Sequence, residues 1–137
     1  MTRNVQEQAS HVRQEMSNLV EQMACLVEEM VGREEMVKGS VYERRRRCGR
    51  KGCRCQRGSL HIGQGFSYSD SGKTYHASLD GKDRQRLQRY VGNYRRFREA
   101  RARLGKAWRS LLDLVNKMEL LRRVPVDRVA GAGAEGR

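Results

Sequence analysis

Over the first 37 residues the apolar positions advance in steps of four and three: Val5, Ala9, Val12, Met16, Leu19, Met23, Leu26 and Met30, then Arg33 in place of an apolar residue, and Val37. This heptad spacing is the pattern of a coiled-coil seam. The stretch has no proline, and its only glycine is Gly32. It predicts a first helix of about 33 residues, about 50 Å long. A second stripe runs through Leu87, Tyr90, Tyr94, Phe97, Arg101, Leu104, Trp108, Leu111, Val115 and Met118. It predicts a helix from about Lys82 to Arg122, with Asp80 as N-cap and Pro125 just beyond its end. Gly92 and Gly105 weaken this helix locally, by about 1 kcal/mol each against alanine.

Between the two stripes the period changes. Lys38-Gly39-Ser40 stops the first helix and Val41-Tyr42 begins a short strand. Residues 66–78, FSYSDSGKTYHAS, alternate around Ser71-Gly72 and read as a β-hairpin, with Tyr68 facing Tyr75 and Phe66 facing Ala77. The Gly/Ala-rich end, residues 124–137, reads as a disordered tail. The expected organisation is a helix over 1–37, a non-helical head over 38–80, a second helix over 81–123, and the tail over 124–137. The fold class is mostly α. Folded back as an antiparallel coiled-coil hairpin whose residue numbers sum to about 120, the helices would set Met23 near Phe97, Met16 near Leu104 and Val12 near Trp108. Glu21, Glu28, Glu29, Glu34 and Glu35 would then lie along Arg86, Arg89, Arg95, Arg96 and Arg98. Homodimerisation through the heptad helices satisfies the same pattern.

Charge changes the picture of the head. The chain has 137 residues and a net charge of +13, but residues 1–37 are net −4, whereas residues 38–64 are net +8 and residues 82–109 net +9. Such blocks suit a polyanion beside a segment kept away from it. Arg44, Arg45, Arg46, Arg47, Arg50, Lys51, Arg54 and Arg57 form the first block, and Arg84, Arg86 and Arg89 open the second. This is the footprint of phosphate-backbone contact with DNA or RNA. No apolar run reaches the roughly 18 residues of a membrane span, and the N-terminus MTRNVQEQAS carries no signal-peptide core. The expectation is a cytoplasmic protein, with nucleoid association left open, and no membrane partner.

Within the first block, Cys48-x4-Cys53-x-Cys55-x5-His61 supplies three thiols and an imidazole in 14 residues. In a reducing compartment, clustered cysteines more often bind metal than form disulfides. A Cys3His set closes a tetrahedral Zn²⁺ site and leaves no open position for chemistry. The head is therefore read as a zinc-stapled β-hairpin between the two long helices. His76 is the alternative fourth ligand, and His11 is a solvated helix residue. Two other readings are incidental thiols in a disordered basic loop and a Cys53–Cys55 redox switch. Cys25, beside the seam, reads as packing.

VYERRRRCGRKGCRCQRGSLH, residues 41–61, resembles an uncharacterised bacterial family of small proteins found around mobile elements. The likeness lies in a tyrosine-bearing strand, the C-G-x-x-G-C-x-C pattern, Gly58 and His61. Tyr94-Arg95-Arg96-Phe97-Arg98 matches a basic helix that follows in the family, so the resemblance covers about residues 36–110. It implies a metal site at Cys48, Cys53, Cys55 and His61 and a mobile-element setting, and it implies no activity.

No nucleophile–base pair, phosphate-cradling loop or HExxH appears, so no enzyme is expected. The expectation is a nucleic-acid-binding accessory protein with a basic zinc head on a coiled-coil stalk. The alternatives are a coiled-coil adaptor docking a recombinase or transposase, and a subunit of a ribonucleoprotein assembly.

Overall fold

A computed structural model describes residues 2–79 and 81–131. In chain order it contains α1 (Arg3–Met30), β1 (Ser40–Arg46), a 3-10 turn (Arg54–Arg57), β2 (His61–Asp70), β3 (Lys73–Ser78), α2 (Asp83–Arg122) and a short α3 (Val126–Ala130). Both long helices are present. The chain divides into two compact units, one of residues 1–31 with 100–137, the other Gly32–Glu99.

In the helical unit, Thr2 caps α1 by accepting the Val5 N–H at 3.4 Å. The predicted stripe is the side of α1 that is covered. Ala9, Val12 and Leu26 are buried, whereas Val20 and Val27, off the stripe, are exposed. Ala9 and Val12 form a core cluster with Met118 of α2, and Met16, Leu114 and Leu121 pack against it. The expected partners of Val12 and Met16 were Trp108 and Leu104, about ten residues earlier on α2. Trp108 is instead 51% exposed.

The shift follows from where α1 ends. The heptad pattern predicts helix to residue 37, but α1 stops at Met30, with Val31 as C-cap. Gly32 and the off-pattern Arg33 come at the point where continuing would add little burial. The released segment belongs to the other unit. There the Val37 N–H donates to the Tyr90 carbonyl at 3.1 Å, and Asn93 Nδ2 donates to the Glu35 carbonyl at 2.9 Å. The first turns of α2 are thus engaged by residues 35–37. Among the described residues, the ion pairs are Arg3–Glu7, His11–Glu15 and Arg45–Glu43. The expected glutamate–arginine pairing between the helices is not among them.

In the Gly32–Glu99 unit the three strands form one antiparallel sheet in the order β1-β2-β3. The β2–β3 turn falls at Ser71 (φ 50°) and Gly72 (φ 81°), both in the left-handed region that a two-residue hairpin loop needs. Tyr68 pairs with Tyr75 and Phe66 with Ala77, as the alternation predicts. β1 is longer than Val41-Tyr42 suggested and runs to Arg46, which pairs with His61. Gly39 is obligatory here, because a Cβ would sit 2.5 Å from the Phe66 ring and 2.8 Å from the Ser67 carbonyl. Leu79 and Phe66 are the buried apolar side chains on one face. On that face Arg84 and Gln88 of α2 both donate to Gln64 of β2.

Residues 126–130, expected to be disordered, form the single turn and a half of α3. Asp80, expected as the N-cap of α2, and residues 132–137 lie outside the described residues.

Candidate metal centre and basic surface

The connection from β1 to β2 is 14 residues long, from Arg47 to Leu60. It has too few apolar side chains to pack on itself. Local backbone geometry makes it compact. Gly52 (φ 82°) turns the chain into the Arg54–Arg57 3-10 turn, and Gly58 (φ 105°) ends that turn with its N–H directed to the Arg54 and Cys55 carbonyls. Gln56 Nε2 ties the turn back to the Arg50 carbonyl at 3.0 Å. Cys48 leaves the end of β1, Cys53 and Cys55 flank the start of the turn, and His61 opens β2.

These four residues converge. Their ligand atoms all lie within 4.8 Å of one another. Cys48 Sγ is 3.5 Å from Cys55 Sγ, and Cys53 Sγ is 3.2 Å from His61 Nε2. A tetrahedral ion with Zn–S near 2.3 Å and Zn–N near 2.0–2.1 Å sets its ligand atoms about 3.5–3.8 Å apart, so the quartet has the dimensions of a metal site. Cys55 is 0% exposed, in a loop with no other buried side chain. All four cysteines of the chain, Cys25 included, are free.

The electrostatics favour a thiolate at one of the three cysteines. The Cys55 backbone N–H, followed by the Cys48, Cys55 and His61 side chains, stabilises the Cys53 thiolate and lowers its pKa from 9.0 to about 6. Burial pushes the Cys55 thiol the other way. Without a metal, one thiol of the pair carries the charge and the other keeps its proton. Amide N–H groups aimed at sulfur are the usual outer support of thiolate ligands.

The alternative ligand His76 does not join the cluster. Its Nδ1 lies 3.3 Å from the Tyr42 hydroxyl on the sheet, and the two rings meet edge-on at 6.1 Å. His11 is an exposed residue of α1, 3.0 Å from Glu15.

The basic residues do not all occupy the loop. Arg47, Arg50, Lys51, Arg54 and Arg57 lie in it or its turn, exposed around the cluster. Arg44, Arg45 and Arg46 are on β1, so strand alternation sends them to opposite faces. Arg44 Nη1 donates to Ser78 Oγ at 3.0 Å, and Arg45 pairs with Glu43 at 2.9 Å. Arg46 lies beside the candidate ligand His61. On α2, Arg84 Nε donates to Gln64 at 3.0 Å, while Arg86 and Arg89 lie 5.9 and 5.6 Å from the centre of the Tyr90 ring. All eleven belong to the Gly32–Glu99 unit, whose eighteen Lys and Arg against seven Asp and Glu give it net +11 of the total +13.

The amide support of the thiolates and the Tyr42–His76 contact carry no signal in residue spacing. The contact has one trace, Gly65, whose Cβ would fall 2.5 Å from the Tyr42 ring. No helix among the described residues is long and apolar enough to cross a membrane. No protein-family model matches the chain, and neither the curated proteins nor the solved structures include a match.

Proposed function

We propose that the protein is a non-enzymatic nucleic-acid-binding accessory protein whose head is stapled by one structural Zn²⁺. The observation that carries this reading is the convergence of Cys48, Cys53, Cys55 and His61 inside the unit that holds net +11. Three thiolates and a neutral imidazole suit zinc and fill its four positions, so the ion orders the loop and supplies no open site for catalysis. The complex would carry net −1, which Arg47, Arg50, Lys51 and Arg54 offset. The remaining positive charge is available to phosphates, and the association with mobile elements rests on the resemblance of residues 41–61.

A salt titration of binding to short duplex and single-stranded probes tests this. If about six phosphates are neutralised, affinity falls about 10³-fold between 50 and 200 mM salt. Affinity that is flat with salt, or absent at low salt, overturns the reading.

A second reading is favoured by the helical unit. Trp108, Leu112 and Val115 recur at i, i+4 and i+7 on α2, each exposed, as on an unpaired seam. The helices would then form a coiled-coil surface for a second copy or for a recombinase or transposase. Charge reversal at Arg44 to Arg47 separates the two. Loss of nucleic acid with association intact supports the first reading, and loss of neither supports the second.

A further inference from the structure

We propose that Tyr68 and Tyr75 form a stacking platform for the unpaired bases of a single-stranded nucleic acid. This rests on the nucleic-acid reading above and narrows its substrate class. Phe66, Tyr68 and Tyr75 share one face of the sheet. Their ring centres are 5.5 Å apart for Phe66–Tyr68 and 5.2 Å for Tyr68–Tyr75, with interplanar angles of 23° and 18°. Phe66 anchors the column, buried under Gly39. Tyr68 is 38% exposed and Tyr75 42%. Tyr75 has Tyr68 as its only aromatic neighbour among the described residues, so the column ends on a ring with an open side.

The Tyr68 and Tyr75 hydroxyls make no side-chain hydrogen bond among the described residues, unlike that of Tyr42. No side-chain hydrogen bond among the described residues therefore fixes either ring in place. Next to Tyr68 is a hollow of about 260 Å³ lined in part by Lys38, Ser40 and Tyr94, which Ser67, Ser69 and Thr74 of the opposite face also reach. A neighbouring hollow of about 400 Å³ is lined in part by Ser40, Gln88, Arg95 and Arg98. Lys73 lies on the platform's own face, two residues from Tyr75. Lys38, Arg95 and Arg98 take part in no ion pair among the described residues. Lys73 faces Asp70 across the strands, so the cations left for a backbone are Lys38, Arg95 and Arg98. Open rings for bases with such cations nearby are what a single strand needs. A duplex hides its base faces within its own stack and offers nothing to Tyr75. Arg44 and Arg46 point to the other face of the sheet, so this surface is separate from theirs.

The full chain should be titrated with a labelled oligothymidylate, an abasic strand of equal length, and a duplex of equal length. The expected result is about tenfold tighter binding of the oligothymidylate than of the abasic strand. Tyr75→Ala should remove that preference and leave abasic binding unchanged, while Tyr75→Trp should keep it. Equal affinity of the unaltered chain for both strands overturns the platform and requires no variant to fold. Binding of the duplex alone overturns the platform and leaves the nucleic-acid reading standing. Binding of none of the three at low salt overturns both.

Discussion

At the scale of single residues, the four candidate ligands are not equivalent. Cys55 has no solvent exposure, while His61 is exposed. Cys53→Ser and Cys55→Ser should both abolish metal binding, read as metal per chain. Cys55→Ser should also cost about 1–3 kcal/mol more in thermal unfolding, because it buries a hydroxyl in place of a thiol. The lowered Cys53 pKa has a defined sign. Its contribution to stability is fully present above the ordinary thiol value of 9.0 and is lost as pH falls through about 6. In metal-free protein, alkylation of Cys53 should therefore have a midpoint near pH 6, well below that of an unperturbed thiol. Glycine substitutions offer a graded test of packing. Gly39→Ala presses on a backbone carbonyl and should cost about 1–3 kcal/mol, whereas Gly65→Ala presses on the tip of the Tyr42 ring, which can swing away, and should cost less. The cysteine–histidine quartet was legible in the sequence because ligand chemistry restricts residue type. Spacing also favoured His61 over His76, but it could not show that a tyrosine 34 residues away meets the other imidazole.

At the scale of elements, periodicity located both helices and the β2–β3 hairpin, whose register follows from a two-residue turn. It misplaced the end of α1, because a heptad pattern records which side is apolar and not what competes for it. Residues 35–37 find hydrogen-bonding partners along α2 that a longer helix would have forgone. The pairing of Val12 followed that error. Val12→Ala should cost about 2 kcal/mol, from two methyl-sized groups removed from the Ala9–Val12–Met118 cluster. Trp108→Ala should cost much less than the 3–5 kcal/mol typical of a buried aromatic. Chemical denaturation of the two variants checks the register directly, since the alternative pairing reverses their order.

At the scale of the whole molecule, charge and the cysteine–histidine quartet fall in the same unit, and the helical unit retains only +2 of the +13. The partition was visible as charge blocks along the chain, although the boundary inside α2, at Glu99, was not, because nothing in a continuous helix marks it. Chelation of the metal should loosen the Gly32–Glu99 unit and leave most helical circular dichroism in place, because α1 and the later turns of α2 have their own core. Loss of most helical signal on chelation would contradict that division.

The two connections in the sheet differ greatly in length, with two residues joining β2 to β3 and 14 joining β1 to β2. Closing the longer one costs roughly 2 kcal/mol more in chain entropy, which sets an order of events. The β2–β3 hairpin can close within microseconds, and β1 joins it only when something holds the long loop shut. The arrival of the metal would then govern how fast the arginine-bearing strand docks. In rapid-mixing refolding, one phase should accelerate with metal concentration while the hairpin phase does not.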